Sequence, residues 1–314
     1  MLGKNASGLF WMSRYLERAE AQARLIEAGF RIALTRAAAA EGEWESLLST
    51  VGQLSDYRAQ HSAVESGRVI AFLLSDRANP ASVINLVKAA RDNARLVRTA
   101  LTREVWEAIN ETWITLDARL KGRVPAADLP DLLALIGRQN ALVRGMMSGT
   151  QLRHDTYNFL RLGTFIERAD NTARILDVKY YLLLPSVAPV GSTLDMVQWE
   201  SILRSVSAQR AYHWLNGPDS SARGIAEFLI LNPQMPRSLA FCHAKLCDNL
   251  GHLQGEYGET SPALTLCTDV GRRLLGQSID AIFESGLHEF IISFLVANND
   301  LANQIARDYR FSAD

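Results

Sequence analysis

Helical periodicity, missing strand signals and an internal repeat together predict an all-α protein, a tandem duplication of two helical-bundle halves. Between its connectors the chain places apolar residues at spacings of three and four. No stretch alternates with a period of two, and no Asn-Gly or Asp-Gly turn joins two alternating runs. Short motifs from the first half return in the same order in the second.

The first element is a long amphipathic helix from Leu9 to Ala37, with Leu9, Met12, Leu16, Ala19, Ala23, Ile26, Phe30, Ala33 and Ala37 on one stripe. Asn5 or Ser7 is placed to cap its start, and Gly42 lies just past its end. The nine prolines mark the later connectors: Pro80, Pro125, Pro130, Pro185, Pro189, Pro218, Pro233, Pro236 and Pro262. The repeat then orders the rest. Glu17-Arg18-Ala19-Glu20 with Ala23-Arg24 and Glu27 returns 150 residues later as Glu167-Arg168-Ala169-Asp170 with Ala173-Arg174 and Asp177. Trp44-Glu45-Ser46-Leu47-Leu48 and Tyr57 return as Trp199-Glu200-Ser201-Ile202-Leu203 and Tyr212, shifted by 155. Phe72-Leu73-Leu74 with Asn79-Pro80 answers to Phe228-Leu229-Ile230 with Asn232-Pro233, and Ser82 and Asp92-Asn93 answer to Ser238 and Asp248-Asn249, shifted by 156. The expected halves are 1–145 and 146–314, each of about five helices, packed as one compact unit with the seam between Gly137 and Asp155.

Composition bounds the function classes. With 33 basic and 34 acidic residues the net charge is -1, which gives no bulk electrostatic grip on nucleic acid or an acidic membrane. The uncharged run Tyr180 to Leu194 is broken by two prolines and the run Phe290 to Ala297 is short, so no membrane span is expected. Met1 to Asn5 does not begin a secretory signal, and three cysteines suit reduced thiols, so the expected location is the cytoplasm. Arginine supplies 28 of the basic residues and lysine five; GC-rich codon usage accounts for the ratio, so each arginine must argue for itself.

On a helical wheel Glu20 and Glu27 fall at the border of the first apolar stripe, with Glu17, Arg24 and Arg31 just beyond. Glu167, Asp170, Arg174 and Asp177 take the same places in the second copy. Pairs four apart account for part of this ladder, and Arg91, Arg95 and Arg98 on the Asp92 helix are candidate partners for the border acids. Burying such charges costs desolvation, so several buried acids point to helix register, a ligand or an interface. Glu17, Glu20, Glu167 and Asp170 could also bridge metals, but the Glu-x-x-His motif of two-metal bundles is absent, so no metal is expected. Cys242, His243, Cys247, His252 and Cys267 cluster in sequence, but thiols five apart point away from each other on one helix and read as buried and inert. Phosphate-loop, dinucleotide and nucleophile-elbow signatures are missing. Asp219-Ser220-Ser221-Ala222-Arg223 before a helix offers an anion-site candidate at Arg223, or a plain serine cap.

Phe10-Trp11-Met12-Ser13-Arg14-Tyr15-Leu16-Glu17-Arg18-Ala19-Glu20, Ala90-Arg91-Asp92-Asn93-Ala94-Arg95, Phe165 through Arg174, and Phe228-Leu229 through Asn232-Pro233 to Pro236-Arg237-Ser238 resemble the bacterial alpha-E domain family. The likeness runs over nearly the whole chain. It implies an all-α protein found beside or fused to circularly permuted ATP-grasp ligase chains, often with transglutaminase-like proteins, in systems that form peptide or amide bonds outside the ribosome. The positions it carries over are Glu17, Arg18, Glu20, Arg24, Glu167, Arg168, Asp170 and Arg174, without individual roles; Asp92 and Arg95 join them as substrate-binding candidates.

The expected function is therefore a helical partner subunit of an ATP-grasp-type amide or peptide ligase, helping to bind a carboxylate or amine substrate such as an amino acid or peptide. No cofactor is expected on this chain, since ATP and Mg would sit on the partner. Two other readings stay open: a stand-alone enzyme using paired helix carboxylates, which needs one acid with a raised pKa, and a structural helical interaction protein whose ladder only sets register.

Overall fold

Apolar spacing of three and four builds helices throughout the computed structural model, which describes residues 1–35, 40–122, 124–183, 193–217 and 220–311. Among these the regular elements are fifteen α-helices and a 3-10 turn at Arg98–Ala100. In order they are α1 (Gly3–Thr35), α2 (Ala40–Thr50), α3 (Leu54–Gln60), α4 (Ser66–Leu74), α5 (Val83–Leu96), α6 (Arg103–Arg119) and α7 (Leu129–Thr150). A second set follows: α8 (Asp155–Leu183), α9 (Thr193–Ser205), α10 (Gln209–Asn216), α11 (Ala222–Ile230), α12 (Leu239–Tyr257), α13 (Pro262–Leu275), α14 (Ile279–Ser285) and α15 (Leu287–Asp308).

Several expectations shift in detail. Helix α1 starts at Gly3, so Asn5 and Ser7 lie inside it and do not cap it, while Gly42 falls within α2. Ala37, Pro185, Pro189, Pro218 and Asp219 lie outside the described residues. The link between the helix sets is residues 151–154, and position 145 falls inside α7. Seven helices precede that link and eight follow it, more than five per half, because short helices stand where the sequence reads as connectors.

The motifs that match across the sequence sit in like surroundings. Tyr57 on α3 meets Phe72 on α4 edge to face at 5.3 Å, and Tyr212 on α10 meets Phe228 on α11 at 5.5 Å. Trp44 and Trp199 are both buried, and Ser82 and Ser238 stand immediately before α5 and α12. Helix α1 packs on α5 and α8, and α8 on α12 and α15, so the two long helices form the centre. One apolar cluster joins the first turns of α1 to α8 and the later helices; a second gathers the end of α1 with the helices from α2 to α7. Gly163 lets the central helices cross, because a Cβ there would collide with the Phe10 carbonyl.

The cysteines are corrected. Cys247 on α12 and Cys267 on α13 form a disulfide with their Cα atoms 5.8 Å apart. A wheel drawn for one helix cannot show a pairing between two, and the cysteine argument for a reducing compartment loses its support. Cys242 is free and buried, and burial pushes its thiol up to about 12. The His243 Nε2 atom lies 2.6 Å from the Cys267 carbonyl oxygen, a core histidine with its polar edge satisfied. No helix among the described residues is long and apolar enough to cross a membrane.

Candidate functional site at the crossing of α1 and α8

The two Glu-Arg pairs meet where the central helices cross, and each arginine clamps the other helix's acid. Arg18 donates from Nε to Glu167 Oε1 at 2.5 Å and from Nη2 to Oε2 at 3.0 Å. Arg168 donates from Nε to Glu17 Oε1 at 3.0 Å and from Nη2 to Oε2 at 2.9 Å. Such two-pronged forks are the strongest geometry a guanidinium offers a carboxylate. Further arginines complete the lattice. Arg14, its guanidinium 4.6 Å over the Trp11 ring, donates to Glu167 at 2.8 Å. Arg237, from the loop before α12, donates to Glu17 at 2.7 Å. Glu20 receives Arg24 and Arg144, and Asp170 pairs with Arg174 at 2.7 Å.

Burial alone would raise these acids, but the arginines win. Arg168, Arg237 and Arg144 hold the Glu17 carboxyl well below the usual carboxylate range, and Arg14 and Arg18 lower that of Glu167. Arg24 and a hydrogen bond from Arg144 lower Glu20, although Glu17 opposes them. Burial in turn pushes Arg237 down to about 10, which leaves it charged at neutral pH. General-acid catalysis needs a carboxyl pKa shifted upward, the opposite of the direction at Glu17, Glu20 and Glu167. A cation between the acids would face guanidinium groups at every one of them, which weighs against a carboxylate metal centre.

The two forks differ in access. The Arg168 side chain is 10% exposed, whereas Arg18 is 35% exposed and lines a cleft of about 340 Å³. Glu167, Asp170, Asn171 and Arg174 from α8 form one wall; Gln22 and Leu25 from α1, residues 50–53 and Ala81 form the rest. A buried amide chain supports this wall: Asn79 donates to Gln53 at 2.6 Å, and Gln22 donates to the Leu73 carbonyl at 2.7 Å. The Asn171 Nδ2 atom is buried and has no hydrogen-bond partner among the described residues. The cleft therefore offers unused donors on Asn171, Arg18 and Arg174 beside the carboxylates of Glu167 and Asp170, a donor and acceptor set matched to a zwitterion.

Of the residues singled out in the sequence, Glu17, Arg18, Glu20, Arg24, Glu167, Arg168, Asp170 and Arg174 come together at this crossing. Asp92 and Arg95 do not. Asp92 pairs with Lys88 at 2.6 Å and lies 3.9 Å from Arg95 on their own helix. Arg91 donates to Asn110, and Arg98 stacks over Trp106. The expected partners of the border acids are thus replaced by Arg14, Arg144 and Arg237. Arg14 and Arg237 stand inside recognisable motifs, and nothing in the sequence marks Arg144. Glu17 is itself fully buried, beyond its expected place outside the stripe border, because α8 covers that face. Arg223 pairs with Asp280 at 2.6 Å on the surface, and Ser221 caps α11 through the Gly224 amide.

A family model named Alpha-E, described as a predicted alpha-helical domain with a conserved ER motif, matches residues 1–309. The Glu-Arg dipeptide occurs twice in the chain, at the two forks of the crossing. Uncharacterized proteins of Mycobacterium bovis and Mycobacterium tuberculosis are 26% identical over 281 residues, covering 82% of this chain and 30% of theirs. The chain thus spans less than a third of the length of the curated relatives it matches. No solved structure matches it.

Proposed function

The chain belongs to the Alpha-E family, and on that premise we propose that it is a helical partner subunit of an ATP-grasp-type amide or peptide ligase. In this reading the ligase chain binds ATP and Mg and works in the cytoplasm, and the cleft beside Arg18 holds an amino acid or peptide end. Arg18, Arg174 and the free Asn171 amide take its carboxylate, and Glu167 or Asp170 takes its ammonium. The observation that carries the reading is the unpartnered buried Asn171 donor beside an exposed arginine fork. The relatives carry most of their sequence outside the matched part, which leaves room for a further domain on the same chain. The matched motifs and their like surroundings also support an origin as two copies of one helical unit, split near residues 151–154.

Reconstitution tests this. The chain and the ATP-grasp ligase that co-purifies with it should together turn over ATP faster than the ligase alone, across a panel of amino acids and dipeptides. Equal turnover by the ligase alone overturns the reading.

The complete pairing of Glu17, Glu20, Glu167 and Asp170 favours a second reading, in which the lattice only sets helix register in an interaction protein. Asn171→Leu separates the two. It leaves both forks intact, so it abolishes the stimulation if the cleft binds substrate and leaves it unchanged if the crossing is purely structural.

A further inference from the structure

A second cleft of about 530 Å³ lies between the start of α8 and the face of α12, and shares no lining residue with the first. Arg153, Tyr157 and Arg161 line it from one side, Lys245 and the Asp248-Asn249 pair from the other, with His154 and His252 nearby. Arg161 is its unusual member. It is largely buried against aromatic rings, 4.4 Å from the Phe165 centroid and 5.8 Å from that of Tyr157, and no carboxylate among the described residues pairs with it. Desolvation lowers its pKa, Tyr157 opposes, Arg168 and Arg153 lower it further, and Glu17 opposes more weakly.

A desolvated guanidinium with cationic neighbours is electrostatically incomplete, and a buried charge left without a counter-charge is costly. The surrounding groups are arranged to receive what is missing. Arg153 is stacked 3.8 Å over the Tyr157 ring and tethered by a hydrogen bond of 2.5 Å to the Ser148 carbonyl, so its fork is held in place. Lys245 is held at the far wall by Asp248 at 2.7 Å. The two acids of the cleft do not reach Arg161: Asp248 is taken by Lys245, and Glu256 lies toward the far end of α12. A shift of 150 sets Trp11 against Arg161, so this cation is particular to the second half.

We propose that this cleft is a binding site for a small oxyanion, the phosphate of a phosphate ester or a carboxylate, clamped by Arg161 with Arg153 and Lys245. The site is independent of the zwitterion cleft and of the ligase partnership.

The test is calorimetric titration of the full chain, at low ionic strength, with inorganic phosphate and separately with succinate. Saturable binding of phosphate alone assigns a phosphate-ester site, of succinate alone a carboxylate site, and of both a general oxyanion site. Arg161→Gln should weaken the binding at least tenfold with helical circular dichroism unchanged, Arg161→Lys should retain part of it, and Lys245→Gln should weaken it to a smaller extent. Arg103→Gln, an exposed control on α6, should leave it unchanged. No saturable binding of either anion, or equal affinity in Arg161→Gln and the parent protein, overturns the proposal.

Discussion

Glu17 and Glu167 open the same Glu-Arg-Ala motif, and each accepts the same fork from the other's arginine, yet one is sealed and the other borders a cleft. The seal at Glu17 is Arg237, which reaches in from the loop before α12. The shift of 156 that aligns Ser82 with Ser238 sets Ala81 against Arg237, and Ala81 lines the open cleft. Both carboxylates accept three arginine hydrogen bonds, but Glu167 takes its third from Arg14 on α1, so the Ala81 methyl leaves open the side that the Arg237 guanidinium closes at Glu17. The difference teaches that near-repeated motifs build the same fork twice, while the residues brought in around each fork decide whether it is covered or borders a cleft.

The largest expected effect bears on this asymmetry. Glu17→Gln removes the counter-charge of Arg168, Arg237 and Arg144 in a closed environment and should cost about 3–5 kcal/mol in urea unfolding. Glu167→Gln should cost less, about 1–3 kcal/mol, because Arg18 can turn into the cleft and regain water. Equal losses would break the comparison. Next, Ala81→Arg should rebuild the seal on the open side, and an amino acid ligand should then bind at least tenfold more weakly in calorimetry; unchanged binding would separate the cleft from the missing guanidinium.

Acid stability sharpens the same contrast. Carboxyls with folded pKa values below their unfolded ones contribute stability that is present above the unfolded value of about 4.5 and is lost as pH falls below it toward the folded values. Both glutamates shift downward, Glu17 further. Urea midpoints followed from about pH 6 to pH 3 should therefore fall in the parent protein, and Glu17→Gln should flatten that fall more than Glu167→Gln. The smallest effect concerns the supports. Gln22 and Thr172 lie 150 residues apart in sequence and each donates to a backbone carbonyl of a neighbouring segment, Gln22 to that of Leu73 near the end of α4 and Thr172 to that of Arg237 before α12. Gln22→Leu and Thr172→Val should each cost roughly 1 kcal/mol, with Gln22→Leu the larger because it also orphans the Gln53 amide.

The helices and the pairs within each ladder were legible because both are properties of spacing. An apolar residue every three or four positions forces a buried stripe, and Glu20 with Arg24 or Asp170 with Arg174 pair within one helix. The partners that decide the site come from elsewhere in the chain. Arg144 on α7 and Arg237 before α12 reach the acids only after the helices pack; Arg237 stands in a recognisable motif that does not show where it points, and no local pattern marks Arg144. Ala81 was invisible for the opposite reason, since its contribution is the side chain it lacks. The Cys247–Cys267 bond likewise joins two helices whose facing sides no single wheel can relate. The same limit explains Asp92 and Arg95, whose motif reads like the others but whose side chains turn toward their own helix.

The exchanged forks also constrain how this protein can drift. Because each dipeptide neutralises the opposite helix rather than its own, a change at either glutamate strands an arginine some 150 positions away in sequence. A replacement that preserves the exchanged pairing must therefore change α1 and α8 together, and the long helices share a constraint that neither could carry by itself.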